Sequence, residues 1–458
     1  MREKTLPQGY LNFSKKSTLK VVKEYRTKYE GICKVLEANA GILTLAHRDF
    51  SSVLSESDKG RGGYTTEQIL RALIVMFVEG DSYRDVVVRI ENSEFFQGFV
   101  RLGVQRMMDY TFLCKAYGAL SEETWEKMNE ALSGYAKKEE KITEEKLRLD
   151  TTAYETNIHH PTDSWLLWDS YRTLARLMKE AGEDMWRVGL KHRFHPKKVR
   201  KLWQYISRNS SRKDKGTKKK IKGNYRKLID RVRWIAEVGG IARAVLSEEG
   251  SLSAMSVAAE LAHYLPIVEK IITQAEGRVF REEKTPADKK VYSLFEEHTE
   301  LIKRGKAGKP IEYGHKVLLA ETGEKFIIHY KAMRKQEADK SLLEGTIKKH
   351  GKIFGKAPEV LAADKGFYES REQLKKLSKR IETVSICKKG RRTAEEDKRE
   401  STEEFKAGQR FRAGIEGTIS VLKRAFKLNR CFFKGFKNYA ASLGCAVFCH
   451  NLVLLARL

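Results

Sequence analysis

The sequence predicts an α/β protein: a mixed β-sheet flanked by helices, preceded by an all-α segment and interrupted after its first strand by a large, basic helical insertion. Three observations carry this. Apolar residues recur at steps of three and four over 65–135, the spacing of helices that bury one face. Leu147 and Leu149 alternate with charged neighbours, and three more strand-like stretches follow Pro310. Between them the pattern returns to helix and becomes strongly basic, with 18 Lys and Arg against 2 acidic residues over 191–235. The expected boundaries are 1–140 for a helical, DNA-binding domain and 141–162 for the first part of the sheet domain. The insertion takes 163–310, and 311–458 holds the rest of the sheet domain and the C-terminal helices.

In the first segment, TTEQILRALIVMFVEG starts with Thr65, has Gln68 three residues on, and stops at Gly80, a capping-box start with a glycine end. SYRDVVVRIENS, SEFFQGFVRLG and SEETWEKMNEALSGYAKK continue as helices. Short connections and a basic chain suit a helix-turn-helix, although no recognition helix stands out. KLRLDTTAYETNI, 146–158, reads as a strand carrying Asp150. In the basic insertion, Trp203, Tyr205, Tyr225 and Trp234 interleave with the charge. The run SRKDKGTKKKIKGNYRK has no continuous apolar face at its centre. It is either a solvated loop or a phosphate-tracking surface formed by Lys218, Lys219 and Lys220; unpaired lysines repel one another unless an anion is bound, which favours the surface.

After Pro310, GHKVLLAET (314–322) and EKFIIHYKAM (324–333) read as strands, and a helix is expected near 339–350. EVLAADKGF (359–367) is a buried strand closed by Asp364. A short helix SREQLKKLSKR, a strand IETVSICKK and a charged loop GRRTAEEDKRESTEEF follow. FRAGIEGTISVLKRAF, 411–426, then places Phe411, Ile415, Ile419, Leu422 and Phe426 on one face of a single helix. Arg412, Glu416, Lys423 and Lys427 form a charged strip beside that face.

The chain has 458 residues, enough for two or three domains, and 41% of them are hydrophobic. A net charge of +28 favours a polyanionic partner, nucleic acid first and a membrane surface second. No uninterrupted apolar run of spanning length and no signal-peptide pattern in MREKTLPQGYLNFSKK are found, so a cytoplasmic protein is expected. Six scattered cysteines without CxxC spacing argue against a disulfide framework. Cys445, Cys449 and His450 cluster in an apolar C-terminal helix, where buried thiols are ordinary.

Asp150 on an early strand, Asp364 at the end of a later one and Glu416 on a late helix form a constellation in which the chain resembles the DDE transposases of bacterial insertion sequences, most closely the ISNCY group. The motifs that carry the likeness are LRLDTTAYETNIHHPTDSWLLWD (147–169), VLAADKGFY (360–368) and the spacing R-x-x-x-E-x-x-x-x-x-x-K of Arg412, Glu416 and Lys423. YTTEQILRALIVMFVEGDSYRDVVVRI (64–90) is similar to the N-terminal module of such enzymes, so the likeness covers most of the chain. The resemblance implies an RNase H-like catalytic domain. It further implies Asp150, Asp364 and Glu416 as catalytic metal ligands, Mg²⁺ with Mn²⁺ as a substitute, and Arg412 and Lys423 on DNA phosphates. The implied partners are double-stranded DNA, both element ends and target, and a second copy of the chain for synapsis. One departure is Gln409, where related enzymes often carry a tyrosine three residues before the arginine.

Attack on a phosphodiester needs a deprotonated nucleophile and a stabilised leaving oxygen, and two divalent cations about 4 Å apart supply both. Mg²⁺ keeps waters and borrows phosphate oxygens, so a few carboxylates suffice. Thr151, Thr152, Asn157, His159 and His160 are polar neighbours open to structural or functional roles, and Asp169 and His315 fall in matching segments without an assignable role. The expected activity is end cleavage and strand transfer. A DNA-binding protein without catalysis and a general metal-dependent nuclease are the alternatives.

Overall fold

A computed structural model describes residues 18–54, 63–187, 192–248, 251–303, 308, 310–334 and 337–458. The N-terminal stretch searched for a signal peptide lies outside the described residues. The chain is a mixed α/β protein with many helices and one mixed sheet, and it divides into two compact units, Met1–Glu155 with His315–Leu458 and Thr156–Gly314.

The first unit opens with α1 (Lys20–Ala38), α2 (Ala40–Val53), α3 (Thr66–Val78), α4 (Tyr83–Glu91), α5 (Glu94–Val100), α6 (Tyr110–Ala119) and α7 (Glu122–Lys138). The Gln68 amide donates to the Thr65 hydroxyl at 3.2 Å and the Thr65 amide to Gln68 Oε1 at 2.9 Å, the reciprocal bonds expected from their spacing. Ser82 and Asp85 repeat this at the start of α4. Gly80 ends α3 at φ +71°, a conformation that costs glycine little. Nearly all of α3 is buried, even Arg71 and Glu67, whose Nε and Oε1 pair at 2.9 Å.

β1 (Lys146–Thr156) leads to the second unit: α8 (Asp163–Glu180), α9 (Gly182–Arg187), α10 (Pro196–Asn209), α11 (Lys215–Glu248), α12 (Leu252–Phe280) and β2 (Glu300–Lys303). This unit has a core of its own, including Leu174, Val232, Ile235, Leu261 and Ile271. The lysine run is not a loop. Helix α11 begins at Lys215 and carries exposed Lys218, Lys219 and Lys220 through its first turns. Its apolar face starts at Ile221 and continues through Tyr225, Leu228 and Val232, so the helix is secured by residues C-terminal to the lysines.

The chain then forms β3 (Ile311–Thr322), β4 (Ile327–Ala332), α13 (Leu343–Phe354), β5 (Val360–Ala363), α14 (Arg371–Ser378) and β6 (Thr383–Ile386). It ends with α15 (Ala394–Ser401), α16 (Glu403–Ala413), α17 (Ile415–Ala425), β7 (Arg430–Cys431) and α18 (Phe436–Leu455). The strand order is β2-β3-β1-β5-β6, with β4 also on β3 and β7 on β1. β5 runs parallel to β1 and β6 parallel to β5, while β4 is antiparallel to β3.

Three expectations are corrected. The charged loop before the Glu416 helix contains α15 and the start of α16; Thr393 and Glu396 close a capping box there, as acidic first-turn residues favour. The single helix over 411–426 is two, interrupted at Gly414, for a reason that lies in the site below. α18 does reach membrane-spanning length and apolarity, but nearly all of it is buried in the chain's own core. It packs on α7, α1 and α3, with Trp125 and Phe448 rings 5.6 Å apart. A Cβ at Gly444 would come within 2.7 Å of Trp125 Cβ, so that approach requires glycine.

Candidate active site

The sheet register builds the site. Lys146 to Leu149 of β1 pair in parallel with Val360 to Ala363 of β5, so Asp150 and Asp364 each follow the last matched pair, Leu149 with Ala363. Two carboxylates 214 positions apart in sequence thus stand side by side on adjacent parallel strands, Asp150 within β1 and Asp364 just past the end of β5. Leu147 and Leu149 fill the core on one face of β1, and the two-residue alternation puts Arg148 and Asp150 on the other.

The third carboxylate comes from the helix corner. Glu416 lies in the first turn of α17, where the helix N-terminus favours a negative charge, and its side chain is 70% exposed, free to swing towards a ligand. Arg412, in the last turn of α16, joins the parts: its guanidinium is 3.4 Å from Asp150 Oδ2 and 3.8 Å from Glu416 Oε1. Its Nε–H is buried without a hydrogen-bond partner among the described residues. Burial pushes the Asp150 carboxyl above its ordinary value. The Thr151 amide, donating at 2.7 Å, and Arg412 oppose that, and the charges of Asp364 and Glu416 add to it. All three carboxylates therefore share one electrostatic neighbourhood.

The corner itself is held from below. Arg148 and Glu321 of β3 are almost fully buried, 4% and 0% exposed, with Nε and Oε1 2.6 Å apart. Arg148 Nη1 also donates to the Phe411 carbonyl at 2.7 Å, and the guanidinium lies 4.6 Å from the Phe411 ring centre. A Cβ at Gly414 would overlap that guanidinium, so the position between α16 and α17 requires glycine. Gln409, in place of the tyrosine, anchors α16 to β6 by donating to the Ser385 carbonyl at 2.7 Å. Gly408 lets the helix approach Ser385 closely enough for that bond. Arg148 and Glu321 were not singled out from the sequence; Glu321 could have been, as a charge in the apolar run of β3, whereas Arg148 follows the charged alternation of β1 and gave no such signal.

Other candidates are placed without a chemical role. His159 stacks on Trp165 with rings 4.8 Å apart, and His160 meets Tyr313 edge-on at 5.8 Å. Asp169 pairs with Arg172 at 2.8 Å. Buried His315 packs against Phe436 and Tyr439, and Thr152 is buried in β1. Lys423 sits in the last turn of α17, on the helix of Glu416. Lys218, Lys219 and Lys220 belong to the second unit, exposed on α11.

Among the described residues no three His, Cys, Asp or Glu side chains form a ready-made metal cage. The donor set nevertheless fits a hydrated magnesium ion: carboxylate oxygens only, two from adjacent strands and one on an exposed, movable side chain. Comparison of the chain with protein-family models, with curated proteins and with solved structures finds no match.

Proposed function

We propose that the chain is a DDE transposase with an RNase H-like catalytic core, which cleaves DNA at the ends of a mobile element and joins the 3′-hydroxyl ends to target DNA. The observation that carries this reading is the register that brings Asp150 beside Asp364, with Arg412 linking Asp150 to Glu416. The strand order supports it: β1 is central, β3 and β4 lie to one side, and parallel β5 and β6 lie to the other.

Asp150, Asp364 and Glu416 would hold Mg²⁺, or Mn²⁺ in its place, which supplies activation of the attacking hydroxyl and charge neutralisation at the departing oxygen. The chain's own groups do the rest. Arg412 would offer its guanidinium fork to a phosphate. Lys423, about two turns beyond Glu416, extends the cationic strip along the DNA backbone. The Thr151 amide fixes one Asp150 oxygen and leaves the other directed at the site. Lys218, Lys219 and Lys220 add a sequence-independent hold on duplex DNA, and two copies of the chain would bring two ends together.

A catalytically silent DNA-binding protein is the second reading, favoured by the guanidinium that lies between Asp150 and Glu416. Purified protein, Mg²⁺ and a labelled duplex carrying the element's end separate the two. Cleavage by the wild type that disappears in Asp150→Ala, Asp364→Ala and Glu416→Ala, with binding retained, supports the enzyme. Binding without cleavage in the wild type supports the silent reading.

A further inference from the structure

We propose that Arg148 and Glu321 are a buried positioning clamp that sets Glu416 and Arg412 against the two aspartates, a role that rests on the metal-site reading of those carboxylates. Removing two charges from water costs several kcal/mol per ion, so a buried pair is weak evidence of stabilisation and asks for another account. Its contacts supply one. From one guanidinium, Arg148 reaches a carboxylate of β3 and a carbonyl at the end of α16, while it stands two residues before Asp150 on the same face of β1.

The carbonyl it holds belongs to Phe411, the residue before Arg412. Gly414, whose missing Cβ admits the guanidinium, lies two residues before Glu416. The clamp therefore fixes the α16–α17 corner in height and rotation, and that corner carries both the third carboxylate and the cation that meets Asp150. Gln409 and Gly408 hold the middle of α16 against Ser385 of β6, a second attachment for the helix that leads into the corner. Neither Arg148 nor Glu321 needs to touch metal or DNA; they act through Arg412 and Glu416.

Two variants perturb the clamp from opposite sides. Gly414→Ala puts a methyl group where the guanidinium lies. Glu321→Gln keeps the shape but removes the charge that orients Arg148. Mn²⁺ binding, followed by electron paramagnetic resonance without DNA or turnover, is compared with urea unfolding and with DNA binding in EDTA. Wild-type Mn²⁺ binding that weakens in Asp364→Ala and Glu416→Ala defines the site. On that background Gly414→Ala and Glu321→Gln are expected to weaken Mn²⁺ binding about tenfold while DNA binding in EDTA persists. Variants that bind Mn²⁺ like wild type and lose only stability overturn the clamp. Wild-type Mn²⁺ binding indifferent to Asp364→Ala and Glu416→Ala overturns the metal-site reading itself, and the clamp with it.

Discussion

His450 makes the first unit sensitive to acid in a way that can be measured residue by residue. The imidazole is 8% exposed on α18, edge-on to Phe426 with ring centres 5.8 Å apart, and Nδ1 lies 3.3 Å from Asn451 Oδ1. Burial lowers its pKa from 6.5 to about 4; the bond to Asn451 opposes this and Arg457 adds to it. The native state thus holds His450 neutral where the unfolded chain would protonate it. Stability is full above pH 6.5 and is lost as pH falls from there towards 4, below which both states are charged. At about 1.4 kcal/mol per tenfold in proton affinity, the full loss is ~3 kcal/mol. His450→Phe removes the titration but also the bond to Asn451, so it is expected to cost ~1 kcal/mol at pH 7.5 and to be the more stable protein at pH 4.5. Urea unfolding at a series of pH values, read as the difference between variant and wild type, isolates His450 from His329, which burial also lowers to about 4. Parallel pH profiles for the two proteins would show that burial of His450 is not the source of the acid sensitivity.

Asn451 is fully buried and exchanges two hydrogen bonds with the Ile327 backbone, at 3.0 and 2.8 Å, as a neighbouring strand would. Asn451→Leu leaves both groups unpaired and should lower unfolding free energy by ~3 kcal/mol in urea titrations. Because the Asp150 carboxyl is held above its ordinary value, stability falls as pH rises from 3.8, where the unfolded chain ionises, and the loss is complete once pH has passed the raised value. Asp150→Asn should then be at least as heat-stable as wild type at pH 7 without metal, lose that gain below pH 3.8, and no longer be stabilised by added Mg²⁺. Replacing exposed Lys218, Lys219 and Lys220 together with alanine should leave thermal stability unchanged. It should reduce the slope of log affinity for duplex DNA against log salt by roughly 1 per lysine.

The sequence made the elements legible where a local rule decides. The Thr65–Gln68 box, the Gly80 stop and the alternation around Leu147 and Leu149 depend on neighbours only, and each stands where expected. Asp150 was legible as a residue on a strand and Asp364 as one that closes a strand, but their adjacency depends on a parallel register between segments separated by the whole insertion, which no local pattern encodes. The break at Gly414 was hidden for the same reason. Read locally, 411–426 keeps an unbroken apolar face; the guanidinium that demands a glycine comes from Arg148, on a distant strand. The lysine run misleads in the opposite direction, since its helix is secured by the apolar residues that begin at Ile221. α15 lacks an apolar face and is set by its capping box, a signal present in Thr393 and Glu396 but submerged in charge.

The most direct test of the central claim uses a pre-cleaved element end and a supercoiled plasmid target with Mg²⁺. The end carries either a 3′-hydroxyl or a 3′-deoxy terminus, which separates strand transfer from simple nicking. Joined product is expected from the wild type with the hydroxyl end only, and none from Asp364→Ala with either end. Plasmid nicking without joining, or joining that survives Asp364→Ala, would contradict that claim.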